Sequence, residues 1–131
     1  MKKIIQKLLK GKYLFLLNST NDFYLANFMH QPSYVSLESA LSFYGIISGF
    51  PYRISSITPK KSRTITVGKK EFSYSKIRSD LFWGYEKKED FLIAEREKAL
   101  LDYIYFYLKG LRTIDWKALD IKGINTAKFL V

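Results

Sequence analysis

Three runs decide the fold class: Arg53-Ile54-Ser55-Ser56-Ile57-Thr58, Arg63-Thr64-Ile65-Thr66-Val67 and Lys70-Glu71-Phe72-Ser73-Tyr74-Ser75-Lys76-Ile77. Here the apolar period is two, which is the pattern of half-buried strands. Phe72 and Tyr74 fall on one face of the third run, Ser73 and Ser75 on the other. Pro59 breaks the first run. Gly68-Lys69, between the second and third, reads as a two-residue turn with Gly first, so those runs are expected to form a hairpin.

On both sides of this block the period is helical. Upstream, Ser36 is placed as an N-cap and Glu38 in the first turn of a helix, followed by Leu37, Ala40, Leu41 and Tyr44 at spacings of three and four. Gly45 ends it, and Ile46 to Pro51 is a connection. Phe23, Leu25, Ala26, Phe28 and Met29 form a short apolar helix stopped before Pro32. Residues 2–12 read as a short amphipathic helix and Tyr13 to Leu17 as a strand. Downstream, Phe91 to Ala94 is a short buried strand. Glu95 to Lys109 is a helix with Leu101, Ile104, Tyr105 and Leu108 as its inner stripe. Gly110 stops it, a short helix opens at Thr113 to Trp116, and another begins in 125–131. Together these elements predict one α/β (α+β) domain over residues 1–131, with a small antiparallel or mixed sheet of about 3–5 strands packed against helices.

The chain has 131 residues, of which 47% are hydrophobic, enough for a core without staples. It has no cysteine, so neither disulfides nor thiolate metal sites can form. Lysines interrupt every apolar run near the N-terminus and no apolar stretch reaches about 18 residues, so neither a secretory leader nor a membrane span is expected. A cytoplasmic location follows as the expectation.

The formal charge is +10, from 22 Lys and Arg against 12 Asp and Glu. It is uneven. Between Tyr52 and Arg78 stand Arg53, Lys60, Lys61, Arg63, Lys69, Lys70, Lys76 and Arg78, with Glu71 as the only acid. Ser79 to Asp102 is net acidic. A basic sheet interleaved with Ser and Thr hydroxyls suits phosphate contact, with strong salt dependence and little sequence choice. The same lysines also suit a solvated sheet face that discourages edge pairing.

Patterns for catalysis are sparse. His30 is the only histidine and lies beside a proline-bearing turn, where a helix-end role is expected. No Gly-rich phosphate loop or dinucleotide fingerprint is present. Asp80 followed by Glu86-Lys87-Lys88 has the acid, then Glu-x-Lys, order of Mg²⁺-dependent nucleases. The segment Glu86 to Asp90 reads equally as a solvated loop. Glu95, Arg96, Glu97 and Lys98 read as a helix start with i,i+3 pairing. Phe72, Tyr74, Phe82, Trp83 and Tyr85 can stack on single-stranded bases, but alternation assigns most of them to the core. A binding domain without metal or cofactor, and not an enzyme, is therefore expected.

Several segments together resemble the AbiE-type (AbiEi) antitoxin family of type IV toxin–antitoxin, or abortive-infection, systems. Ser33-Tyr34-Val35-Ser36-Leu37-Glu38-Ser39-Ala40-Leu41-Ser42-Phe43-Tyr44-Gly45 resembles its S-Y-[IV]-S-L-E-S-A-L-x-x-[HY]-G segment. Ser55-Ser56-Ile57-Thr58 with Arg63-Thr64 is similar to its S-[VI]-T strand and basic turn. Phe72-Ser73-Tyr74 and Leu81-Phe82-Trp83-Gly84-Tyr85 fit the next pieces, and Ile93 to Asp102 resembles the A-x-x-E-K-A-L-x-D helix. The resemblance implies a family core at 33–102, a remnant of a winged-helix tail in 1–31, and Tyr34, Ser36, Glu38, Ser39, Gly45, Thr58, Tyr74, Glu97, Lys98 and Asp102 as structural or functional positions. It implies an antitoxin and transcriptional regulator of its own operon, paired with a nucleotidyltransferase-type toxin without a stable complex. Its basic face would add DNA contact. Only the region Lys7 to Leu17 matches the end of the family's DNA reader, so operator-specific recognition is not expected. The other function expected from the residues is a protein-interaction module for an acidic partner.

Overall fold

The structure, a computed structural model, describes residues 21–125. The expected helix at 2–12, the strand at 13–17, the winged-helix remnant before residue 21 and the helix entered in 125–131 lie outside the described residues, Asn125 apart. Element order is α1 (Asp22–Met29), β1 (Tyr34–Val35), α2 (Leu37–Phe43), β2 (Arg53–Thr58), β3 (Arg63–Val67), β4 (Lys70–Lys76), β5 (Tyr85–Lys88), β6 (Phe91–Ala94) and α3 (Arg96–Leu108). Short 3₁₀ turns lie at Ser79–Leu81 and Trp116–Ala118.

Among the described residues the strands form one six-stranded mixed sheet in the order β3-β4-β2-β1-β6-β5. Pairs β2/β4 and β1/β6 are parallel, the others antiparallel. The β3–β4 hairpin turns on Gly68-Lys69 as expected, with Val67 opposite Lys70 and Gly68 at φ 62°. Two strands go beyond the sequence reading. β1 is only two residues long, too short to leave a period. β5 covers most of the segment read as a solvated loop; its Tyr85-Glu86-Lys87-Lys88 lies on the sheet edge, where charged side chains are normal.

Register sorts the faces. Ile54, Ser56 and Thr58 stand opposite Phe72, Tyr74 and Lys76, and Tyr74 and Phe72 in turn oppose Arg63 and Ile65. The Tyr74 hydroxyl donates to Ala26 O at 2.5 Å, so α1 covers this face. Tyr34, Ile57 and Ser75 share the other face, which α3 covers through Tyr34. The buried core joins Leu25, Leu41, Ile57, Phe72 and Ile93. On the α3 side of β4 and β3, Ser73 and Ser75 are half-buried and Thr64 and Thr66 exposed, leaving a strip of hydroxyls open to solvent.

Side chains replace the bonds a longer β1 would make. Ser39 Oγ accepts from Ser55 N at 2.8 Å and donates to Arg53 O at 3.3 Å. The Asn27 carboxamide accepts from Leu92 N at 2.7 Å and donates to Leu92 O at 3.1 Å. Buried backbone groups are rarely left without partners, and these two residues supply them on either side of the short strand.

Helix α3 is turned differently from the expected stripe. Leu101 is 42% and Leu108 76% exposed, while Ile104 and Tyr105 are half-buried. Its buried residues are Lys98, Ala99, Asp102 and Phe106. Apolar side chains surround most of the helix, so periodicity alone could not select the inner face; the buried charge pair selects it. Phe106→Ala should therefore cost about 3–5 kcal/mol in urea unfolding and Leu108→Ala no more than about 0.5 kcal/mol. The reverse order would restore the stripe read from the sequence.

Candidate nucleic-acid interface

All eight basic residues singled out in the sequence are exposed, but they do not form one patch. Lys60 and Lys61 occupy the β2–β3 turn, Arg63 opens β3 opposite Tyr74, and Lys76 closes β4 opposite Thr58. Ser62 Oγ accepts from Lys76 N at 2.8 Å, tying the turn to the end of β4. These four gather at one end of the hairpin side and have no ion-pair partner among the described residues. At the other end Arg53 pairs with Glu71 at 3.0 Å and Lys70 with Asp22 at 2.6 Å, with Lys69 beside them in the hairpin turn. Arg78 pairs with Asp80 at 2.8 Å. Lys70 and Lys76 bound one strand, and at roughly 3.3 Å per residue they stand about 20 Å apart.

His30 lies within the unpaired cluster as the C-cap of α1, the helix-end role expected of it. Its ring meets Tyr74 edge-on, with centroids 4.9 Å apart. Burial lowers its pKa below the ordinary histidine value, and the charges of Arg63 and Lys60 lower it further, against a hydrogen bond with the Lys61 backbone. Its Nε2 is buried without a hydrogen-bond partner among the described residues.

The residues implied by the family resemblance divide differently. Tyr34, Ser36, Lys98 and Asp102 meet in one buried network. Tyr34 and Ser36 hydroxyls each donate to Asp102 Oδ2 at 2.8 Å, and Lys98 Nζ donates to Asp102 Oδ1. Lys98 also donates to Leu81 O at 3.0 Å and stands 4.8 Å over the Trp83 ring. The Lys98 and Asp102 side chains are 4% and 1% exposed. Burial pushes the Asp102 carboxyl up; Lys98 and the two hydroxyls pull it back. Burial and the Asp102 charge push the Tyr34 phenol far above its ordinary range. Two expectations are thereby corrected. Ser36 is the N-cap residue of α2 as expected, but its side chain makes no capping bond, because its hydroxyl is spent on Asp102. Lys98 pairs inward with Asp102 at i,i+4 and not at the helix surface.

The remaining implied residues fall apart from that network. Ser39 and Thr58 serve backbone groups, Thr58 Oγ1 donating to Pro32 O at 2.9 Å and accepting from Lys60 N at 3.2 Å. Gly45 follows α2 at φ 74°. Glu97 is half-buried in the first turn of α3. Gly84, at φ 78°, lies under the Lys98 stem: a Cβ there would stand 2.7 Å from Lys98 Cγ. Glu38 accepts from Arg112 Nε at 2.9 Å. Arg112 was not singled out in the sequence, where 74 residues separate it from Glu38 and no pattern links them.

Asp80 and Glu86 are engaged separately, with Arg78 at 2.8 Å and Lys88 at 3.2 Å. No group of three or more His, Cys, Asp or Glu suited to a metal occurs among the described residues. Of the aromatics, Phe72 and Tyr74 are core, Phe82 is half-buried, and Trp83 and Tyr85 keep an exposed edge. Tyr85 stacks on Tyr34 at 4.8 Å, extending the network toward the surface. No described helix is long and apolar enough to cross a membrane. Comparison with protein-family models, with curated proteins and with solved structures finds no match.

Breaking the buried pair leaves an uncompensated charge, so Asp102→Asn should cost about 3–5 kcal/mol in urea unfolding. Lys98→Met combined with Asp102→Leu should cost less than the single change; a loss under about 1 kcal/mol in the single variant would mean the charges are solvated. His30 sets a separate dependence. Its folded pKa lies below the unfolded value near 6.5, so its contribution to stability is complete above that pH and is lost as pH falls toward the folded value. The urea midpoint should drop between about pH 7.5 and 5.5, and His30→Gln should flatten that drop.

Proposed function

We propose that this chain is a non-enzymatic, AbiE-type antitoxin-like domain whose basic hairpin end holds the phosphates of DNA, contributing auxiliary binding to autoregulation of its operon. The observation that carries the reading is the unpaired cluster of Lys60, Lys61, Arg63 and Lys76. Charges already neutralised by carboxylates gain little from a phosphate, because the existing pair must be broken first. The unpaired four release counterions with no such cost. Residues from two of the quoted segments, 33–36 and 98–102, meet in one buried network. On this reading the partner toxin is nucleotidyltransferase-type, with no lasting complex, and the protein works in the cytoplasm.

Binding to duplex DNA across a salt series tests the DNA part. Four phosphate contacts give a slope of log K against log salt of about −3.6. Replacing Lys60, Lys61 and Arg63 with Glu should lower affinity at least about tenfold and flatten the slope, whereas Lys70→Glu should do far less. A flat salt response in the unmodified protein, or equal effects of both changes, would sink the assignment.

A further inference from the structure

Helix α3 is covered on two flanks and open on a third. One flank carries Lys98, Ala99, Asp102 and Phe106 inward. The chain returning after the helix lines the second. There Tyr103 donates to Thr113 O at 3.0 Å, the Tyr107 ring meets Trp116 with centroids 5.9 Å apart, and Arg96 Nη1 donates to Gly123 O at 3.0 Å. The third flank carries Leu101, Ile104, Tyr105 and Leu108, the stripe that the helical period alone assigns to the core. Leu101 and Leu108 are exposed, Ile104 and Tyr105 half-buried. Single exposed apolar residues are ordinary, whereas a contiguous apolar stripe marks a contact surface.

We propose that this stripe is the self-association surface of the protein, packing antiparallel on the same stripe of a second copy. Two properties point to that occupant. The spacing of the four residues, three, one and three, reads the same in both directions. In an antiparallel two-fold pair Leu101 therefore faces Leu108 of the second copy, and Ile104 faces its Tyr105. The ends of the stripe also carry opposite charge. Glu97 stands in the first turn of α3 and Lys109 at its C-cap. Lys109 has no ion-pair partner among the described residues, and its Nζ lies 5.4 Å from the Tyr105 ring centroid. Antiparallel packing brings each Glu97 to within about 4.5 Å, along the axis, of the level of Lys109 in the other copy, and it opposes the helix dipoles. A parallel pair would set like charges together. One helix face is smaller than a standard interface, so the association is weak and concentration-dependent. This inference is independent of the nucleic-acid reading.

Sedimentation equilibrium of the full chain tests this. The average mass should climb from the monomer toward twice that value between about 5 and 500 μM. Leu108→Glu should hold the protein at the monomer mass with its far-UV circular dichroism unchanged. Glu97→Lys reverses both symmetric contacts and should weaken association about tenfold, and adding Lys109→Glu should restore it. The chain has no cysteine, so single thiols report the geometry. A short bis-maleimide should join two copies of Ile104→Cys. It should not join two copies of Leu108→Cys, which lie about 10 Å apart along the helices, but should join Leu108→Cys to Leu101→Cys. A monomer at every concentration, the result if another part of the chain covers the stripe, overturns the proposal. So does a dimer indifferent to Leu108→Glu, or one in which Leu108→Cys is joined to itself more readily than Ile104→Cys.

Discussion

The Asp102 carboxylate accepts hydrogen bonds from side chains in three places: β1 through Tyr34, the approach to α2 through Ser36, and its own helix through Lys98. Rotating α3 by one residue, about 100°, would take the carboxylate out of reach of the first two. Sliding it by a turn would pull Lys98 from Leu81 O and from the floor made by Gly84. The helix is thus oriented by a buried charge pair together with Ala99 and Phe106, while Leu101, Tyr107 and Leu108 remain outside. Ion pairs of this kind add little net stability relative to packed apolar residues, but they penalise every arrangement that leaves one partner bare. Here the penalty fixes how α3, β1 and the turn before β5 sit on the sheet.

That constraint also explains what could be read from the chain. The β3 and β4 runs alternate because one face of each is more covered than the other, whereas β2 is buried on both faces from Ser55 to Thr58; the boundaries of all three and the Gly68 turn are legible. Helix α3 is legible as a helix but not as a face: Leu101 and Leu108 mimic a core stripe, whereas Lys98 and Asp102 look like a surface pair at i,i+4 spacing. Nothing local distinguishes a buried pair from an exposed one; the difference lies in Tyr34 and Ser36, more than sixty residues away in the chain. β1 is hidden for a related reason. Its two residues carry no period, and its neighbours' backbone groups are satisfied by Ser39 and Asn27, side chains that read as ordinary helix positions. The basic stretch is legible as a composition, but its division into paired and unpaired ends depends on acids at Asp22, Glu71 and Asp80 that register and turns bring into place.

Polar groups in this domain consequently do two kinds of work that sequence alone runs together. Ser36, Ser39, Thr58, Lys98 and Asp102 are spent inside, on backbone atoms and on one another. Their loss would be felt as instability before it was felt as lost binding. Lys60, Lys61, Arg63 and Lys76 stabilise nothing visible in the fold. Mutual repulsion among them is a cost; burial is the main reason the His30 pKa is lowered, and the charges of Arg63 and Lys60 lower it further. Dispersed charges would serve solubility as well as this cluster does.

The two ends of the basic stretch are also electrically separate. Arg63 and Lys76 share the sheet face covered by α1, while Arg53 and Ser55 share the face of Tyr34 and Ile57. They stand at opposite ends of β2 and β4, about 20 Å apart along the strands. That is over twice the screening length at physiological salt, about 8 Å. A charge at one end therefore exerts little Coulombic influence at the other. The carboxylates of Glu71 and Asp22 already neutralise Arg53 and Lys70 at one end, and the other end carries its charge unpaired.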